Sequence, residues 1–333
     1  MTKQETQIMK GVAILLMIWV HFLWEYPTLE HRLYVGDKPL LSFLGGATNP
    51  VNFFLLLSGY GLRFIYKKGK GDKHRWTRMW KLYAHWMVCI LMFLCIGLTL
   101  GRHYNEFGIE QFILNMTAID PSWYHPGWFV VPFCLLSLSS FYIFKFTDRF
   151  KTIWVLATAF LFGTCVLYIT SRIGSDYIFK NLWMFIPLHY CELIPAFVFG
   201  AMMHRETGKW RISLGKWQWT LWFVLIIVFI AKCFVTTAAT GPIYPVVATI
   251  LFLSAPRKEF VDKTLTFLGN HSLNVWFIHY YICLYIFKEE LYSVKYPLLA
   301  YVICVLVSIA FSYVVDFLIG LISLIYKSEK RGF

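Results

Sequence analysis

Two ionisable residues stand on one face of the first apolar segment of this chain. The segment reads Met9-Lys10-Gly11-Val12-Ala13-Ile14-Leu15-Leu16-Met17-Ile18-Trp19-Val20-His21. Eleven residues at about 100° each make about three full turns, so Lys10 and His21 share a stripe, about 16 Å apart along a helix axis. That distance is about half of a hydrocarbon core some 30 Å thick. A cation near one membrane surface and an imidazole at depth suit a site reaching into a bilayer. The histidine would act there as a general base toward a hydroxyl. The same residues also read as a snorkelling flank lysine and a hydrogen-bonded interior histidine.

Further ionisable residues fall inside apolar stretches: His85, His189, Glu192, Lys232, His279 and Asp316. Burying such groups in a membrane is costly without partners, so they point to function or to interhelical contacts. His189 and Glu192 stand three apart and share a helix face. Together these residues are expected to line a polar chamber. Trp123-Tyr124-His125-Pro126-Gly127-Trp128-Phe129 precedes the fourth apolar segment. Trp123 and Trp128 read as an interfacial aromatic belt that also offers faces to sugar rings. His189, Glu192, Trp123 and Trp128 are the candidate substrate contacts.

The elements that position these residues are transmembrane helices. Hydrophobic residues make up 58% of the 333 residues and charged residues only 15%, with mean hydropathy +0.58. Soluble domains carry about 25% charged residues, so most of this surface must face lipid. Spans are expected near 8–26, 45–66, 80–100, 128–146, 152–171, 182–203, 217–236, 241–256, 269–288 and 297–324. The fold class is thus an all-α polytopic bundle of about ten helices, one domain over residues 1–333 with no appended soluble domain.

With the N-terminus inside, 23 of the 31 lysines and arginines fall on the cytoplasmic side. Seven fall outside (Arg32, Lys38, Arg102, Arg172, Lys180, Lys288 and Lys295), and Lys232 lies within a span. This asymmetry predicts both termini in the cytoplasm. It also accounts for the net charge of +13 without a nucleic-acid partner. The densest run, Arg63 to Lys81, holds Lys67, Lys68, Lys70, Lys73, Arg75 and Arg78, with Gly69 and Gly71 between them. It reads as a stop-transfer anchor touching anionic lipid, or as a collector of phosphates from an anionic cosubstrate.

The eight cysteines all fall in expected spans, with no metal-ligand spacing, and read as reduced packing residues. No metal site and no permanently bound cofactor are expected. Asn115-Met116-Thr117 fits a glycosylation sequon on the outer side.

In chain order, several blocks resemble the integral-membrane acyltransferase family 3, which includes O-acetyltransferases of bacterial envelope polysaccharides. Lys10-Gly11-Val12-Ala13-Ile14-Leu15-Leu16 with His21 is similar to its first-helix pair, an arginine and a histidine with ten residues between them. Asn52-Phe53-Phe54-Leu55-Leu56-Leu57-Ser58-Gly59-Tyr60 resembles its Phe-Phe-x-x-Ser-Gly-Tyr block, and Arg75, Arg78, Lys81 and Tyr83 its basic entry to the third helix. Trp128-Phe129, Phe197-Val198-Phe199-Gly200-Ala201-Met202 and the stretch from Gly269 to His279 match later blocks.

The resemblance implies transfer of an acyl group, usually acetyl, from cytoplasmic acyl-CoA to a hydroxyl of an extracytoplasmic glycan. The partners would be the bilayer, acyl-CoA and that acceptor, in a bacterial cell membrane. His21 and His279 would be catalytic; Lys10, Arg63, Arg75 and Arg78 would hold coenzyme A phosphates. Two positions depart from the pattern. Lys10 replaces the usual arginine, turning a bidentate clamp into a point charge, and Ala84 stands where many members have proline. The alternative reading is a transporter or flippase of a lipid-linked glycan or organic anion.

Overall fold

Proline, glycine and asparagine set the ends of the helices. In the computed structural model the described residues are 1–25, 33–69, 72–102 and 108–329. Arg32, Lys70, Gly71, Lys330 and Arg331 lie outside them. The long helices are α1 (Lys3–Glu25), α3 (Pro50–Lys67), α4 (Asp72–Thr99), α6 (Val130–Thr147), α7 (Thr152–Ile173), α9 (Leu182–Arg205), α10 (Thr220–Phe234), α11 (Ile243–Ser254), α12 (Glu259–Cys283) and α14 (Pro297–Glu329). Shorter helices are α2 (Leu40–Gly45), α5 (Ile109–Met116), α8 (Ser175–Lys180) and α13 (Lys288–Tyr292). A small antiparallel ribbon pairs β1 (Tyr34–Val35) with β2 (Lys38–Pro39), Tyr34 opposite Pro39.

Among the described residues, seven segments are long and apolar enough to cross a membrane: the first spans Lys3–Leu23 and the last Pro297–Leu324. Of the other three expected spans, α10 and α11 are apolar but short, at 15 and 12 residues. The ninth expected span, 269–288, is displaced: α12 starts at Glu259 and ends at Cys283. Glu259 and Asp262 in its first turn complement the helix dipole, so the helix begins in the polar segment ahead of the apolar one. Lys232 lies in the last turn of α10, where its Nζ donates to the Val235 carbonyl at 2.8 Å. A cation at a helix C-terminus satisfies an orphan carbonyl, so this lysine in an apolar helix closes the helix end.

The chain divides into two compact units. The first comprises Met1–Met17, Glu30–Trp76 and Phe129–Asn270. At its centre α3 packs along α9, and small residues allow the approach. A Cβ on Gly59 would overlap the Phe197 carbonyl oxygen, and one on Gly200 would overlap that of Leu56. Two sequence blocks far apart in the chain are therefore the two halves of one helix crossing. Its core includes Met9, Ala13, Phe53, Leu56, Tyr60, Met203 and Tyr244. Ahead of α3, Asn49 takes the left-handed conformation (φ 39°), with its Nδ2 donating to the Gly241 carbonyl at 3.0 Å. Pro50 then opens the helix at a position where no backbone donor is needed.

The same device joins α1 to α12 in this unit. A Cβ on Gly11 would overlap the Leu265 carbonyl oxygen, and one on Gly269 would overlap that of Gln7. Both helices continue into the second unit, where His21 and His279 each stand ten residues beyond their glycine, about 15 Å along the axis.

The second unit comprises Ile18–Leu29, Thr77–Trp128 and His271–Phe333. Aromatic side chains build its core. Phe93 stacks on Tyr281 with centroids 4.3 Å apart, and Trp86 meets Tyr124 and Phe277 edge-on. The Tyr292 hydroxyl donates to the Phe22 carbonyl at 2.9 Å, tying α13 to α1.

Candidate active site

His21 and His279 face each other in the interior of the second unit. His21 Nδ1 lies 2.7 Å from His279 Nε2, the rings nearly stacked with centroids 5.0 Å apart. His279 is fully buried and His21 nearly so. Tyr280 stands perpendicular to the His21 ring at 5.2 Å.

The hydrogen bonds assign the protons. His279 Nδ1 is 3.0 Å from the Val275 carbonyl oxygen, which can only accept. Nδ1 therefore carries a hydrogen, and Nε2 of the neutral ring is an acceptor. His21 Nδ1 must then donate to it, which places the lone pair of His21 on Nε2. A neutral imidazole held in one tautomer by a buried partner is a group that can take up a proton.

The other ionisable residues fall in both units, and each makes its own contacts there. In the second unit, His85 Nδ1 donates to Asn274 Oδ1 at 2.5 Å. Asn274 Nδ2 donates to Asp316 Oδ1 at 2.8 Å and to Ser312 Oγ at 3.1 Å. His271 Nδ1 lies 2.9 Å from Ser312 Oγ. The amide thus bridges His85 to Asp316 and fixes the His85 tautomer. In the first unit, His189 Nδ1 donates to the Phe185 carbonyl at 2.8 Å, and its Nε2 is 3.9 Å from Glu192. Glu192 also accepts from Thr170 Oγ1 at 3.0 Å. The shared face of His189 and Glu192 is as the spacing required.

The aromatic segment before α6 is a wall rather than a mouth at Trp123, whose side chain is sealed in at 3% exposure. Asn115 organises it: the amide oxygen accepts from Trp123 N at 2.8 Å, and Nδ2 donates to Gln111 O and Ser122 Oγ. Asn115 is 0% exposed, so the glycosylation sequon is occupied by structure and closed to an attached sugar. The Tyr124 hydroxyl donates to the Trp276 carbonyl on α12, while Gly127 leaves room for the Trp86 ring. This segment therefore braces the helix that carries His279. Trp128 is half-buried and keeps a partly accessible ring.

Among the cations, Lys10 is half-buried on α1 and Arg78 half-buried on α4. Arg63 is 0% exposed and pairs with Asp148, its guanidinium 5.5 Å from the Phe144 ring centroid. Arg75 is also buried, donating to the Leu138 carbonyl and lying 4.3 Å over Phe141. These two arginines, expected as phosphate contacts, anchor α3 and α4 to α6 and its end. Burial pushes the Asp148 carboxyl up, but the hydrogen bonds and charges of Arg63 and Lys67 outweigh it and hold it below its ordinary range. Cys95 and Cys165 are exposed rather than packed inside.

Sequence reasoning gave Tyr124, Asn274 and Tyr280 no role of their own and read Asn115 only as part of a sequon. An amide in the middle of an apolar helix was the available signal for Asn274, since such a group requires a partner. Among the described residues no group of three or more His, Cys, Asp or Glu side chains could hold a metal.

A sequence model of the acyltransferase domain of family 3 matches residues 5–317. No curated protein and no solved structure matches the chain.

Proposed function

The chain belongs to acyltransferase family 3, and from that membership we propose that it moves an acetyl group from acetyl-CoA to a hydroxyl of a cell-surface glycan. The observation that carries the reading is the His21–His279 pair, a buried base with a defined tautomer. The family match favours transfer chemistry and gives the transporter reading no support.

In this proposal His21 Nε2 takes the proton of the acceptor hydroxyl as its oxygen attacks the thioester carbonyl carbon. The C–O bond forms, the C–S bond breaks, and the departing thiolate receives the proton from His21. His279 is a positioning residue: it accepts from His21 Nδ1 throughout and stabilises the transient imidazolium. Lys10 and Arg78 are the proposed contacts to the donor's phosphates, with Arg63 and Arg75 holding the helix ends that present the basic turn. Both termini would lie in the cytoplasm, where acyl-CoA is found, as the charge asymmetry favours. Trp128, His189 and Glu192 are proposed acceptor contacts, and the membrane is proposed to be a bacterial plasma membrane.

The test is transfer of radiolabelled acetyl from acetyl-CoA by the purified chain, together with mass spectrometry of envelope glycans from cells with and without it. General-base removal in His21→Ala is expected to lower the rate about 10²- to 10⁴-fold. A folded His21→Ala protein transferring at the wild-type rate would sink the assignment. Unchanged O-acetylation in cells lacking the chain would refute the proposed acceptor.

A further inference from the structure

The first unit carries a concave apolar groove on α6, α7 and α9, with a cavity volume of about 670 Å³. Its lining runs from Phe150 to Ser139 beside α6, from Trp154 to Phe162 on α7 and from Tyr190 to Val198 on α9. On each of the three helices the lining covers eight residues of helix rise, about 12 Å, which is most of the depth of one leaflet of a hydrocarbon core about 30 Å thick. At its deep end Ser139 Oγ and the Tyr190 hydroxyl lie 2.8 Å apart and satisfy each other. The groove therefore presents little polar demand to an apolar chain.

The other end lies between the ends of two segments long and apolar enough to cross a membrane, His125–Thr147 and Thr152–Ile173. Trp154 is 65% exposed there beside Phe150, a position aromatic side chains favour at the lipid–water boundary. Three exposed cations, Lys145, Arg149 and Lys151, flank this end. The acidic groups nearby are already engaged: Asp148 by Arg63 and Lys67, and Glu206 by Thr152 and Lys209. Arg205 Nη1 donates to the Phe150 carbonyl at 2.8 Å and fixes the turn that bears the cations.

A groove most of a leaflet deep, apolar along its length and basic at its rim, matches one class of molecule. We propose that it holds an acyl chain of an anionic phospholipid, with the headgroup phosphate gathered by Lys145, Arg149 and Lys151. This site is separate in its chemistry from the histidine pair and does not depend on the proposed reaction.

Native mass spectrometry of the full-length chain tests it, using phosphatidylglycerol and phosphatidylcholine of identical chains. The wild type should retain phosphatidylglycerol at least tenfold better. The triple variant K145Q/R149Q/K151Q should lose that preference while still folding, because all three residues are on the surface. Thr158→Trp, which fills the groove from an exposed position on α7, should reduce retention of both lipids. Equal retention of the two lipids by the wild type, retention of neither, or an unaltered preference in the triple variant would each overturn the proposal.

Discussion

Replacing His279 isolates the contribution of the histidine pair, because His279 orients His21 without meeting substrate in the proposed reaction. His279→Ala removes the acceptor 2.7 Å from His21 Nδ1 and leaves that donor buried without its partner. As His21 takes the substrate proton, the lost bond becomes one to a charged group. Such bonds contribute about 1.5–3 kcal/mol, and each 1.36 kcal/mol is tenfold in rate. The expected loss in kcat is therefore about tenfold to 150-fold. KM for the donor should stay nearly constant, because the interaction strengthens only as charge develops. His279→Gln supplies an amide oxygen that can accept from Nδ1–H, so it should recover most of the loss. The assay is steady-state acetyl transfer by detergent-purified protein, with thermal unfolding recorded for each variant. A folded His279→Ala protein with wild-type kcat would refute the tautomer argument. So would a His279→Gln variant that unfolds like the wild type yet is as slow as the alanine variant.

Two further outcomes follow from the packing and the charges. Asp148→Asn leaves the buried Arg63 guanidinium without its countercharge and should cost about 3 kcal/mol, the low end for a broken buried pair because Asp148 keeps 29% side-chain exposure. The Asp148 carboxyl is depressed in the folded state, so its stabilisation is present above the unfolded value near 3.9 and is lost as pH falls through the lower folded value. Thermal unfolding of wild type and variant should therefore converge on acidification below about pH 4; a constant difference through that range would contradict the pairing. Gly59→Val and Gly200→Val each push a side chain into a facing carbonyl, at a cost of about 1–3 kcal/mol or more. Monodisperse protein with unchanged melting temperature from either variant would show that α3 and α9 do not need this close approach.

Much of the fold was legible because its causes are local. Apolar length identifies helices, and lysine and arginine bias suggests orientation, without knowledge of any contact. The start of α12 was misplaced because Glu259, Asp262 and Lys263 make a polar first turn that hydropathy alone assigns to a loop. Glycine blocks were visible as motifs, but their meaning was not. Gly59 and Gly200 are 141 residues apart, and only a helix crossing makes them partners.

The site divides in the same way. Sequence by itself determined that the chain is an all-α membrane protein with His21 and His279 in apolar surroundings, since residue type and periodicity are properties of the chain. Tertiary structure decided that the two imidazoles meet and which nitrogen holds which proton. It likewise put Arg63 and Arg75 in the interior, Trp123 in a wall, and Asn274 between His85 and Asp316. The physical reason is that a side chain's burial and hydrogen-bond partner are set by neighbours brought in from distant parts of the chain. A local pattern can say that a group requires a partner, but only the packed helices say which one it has.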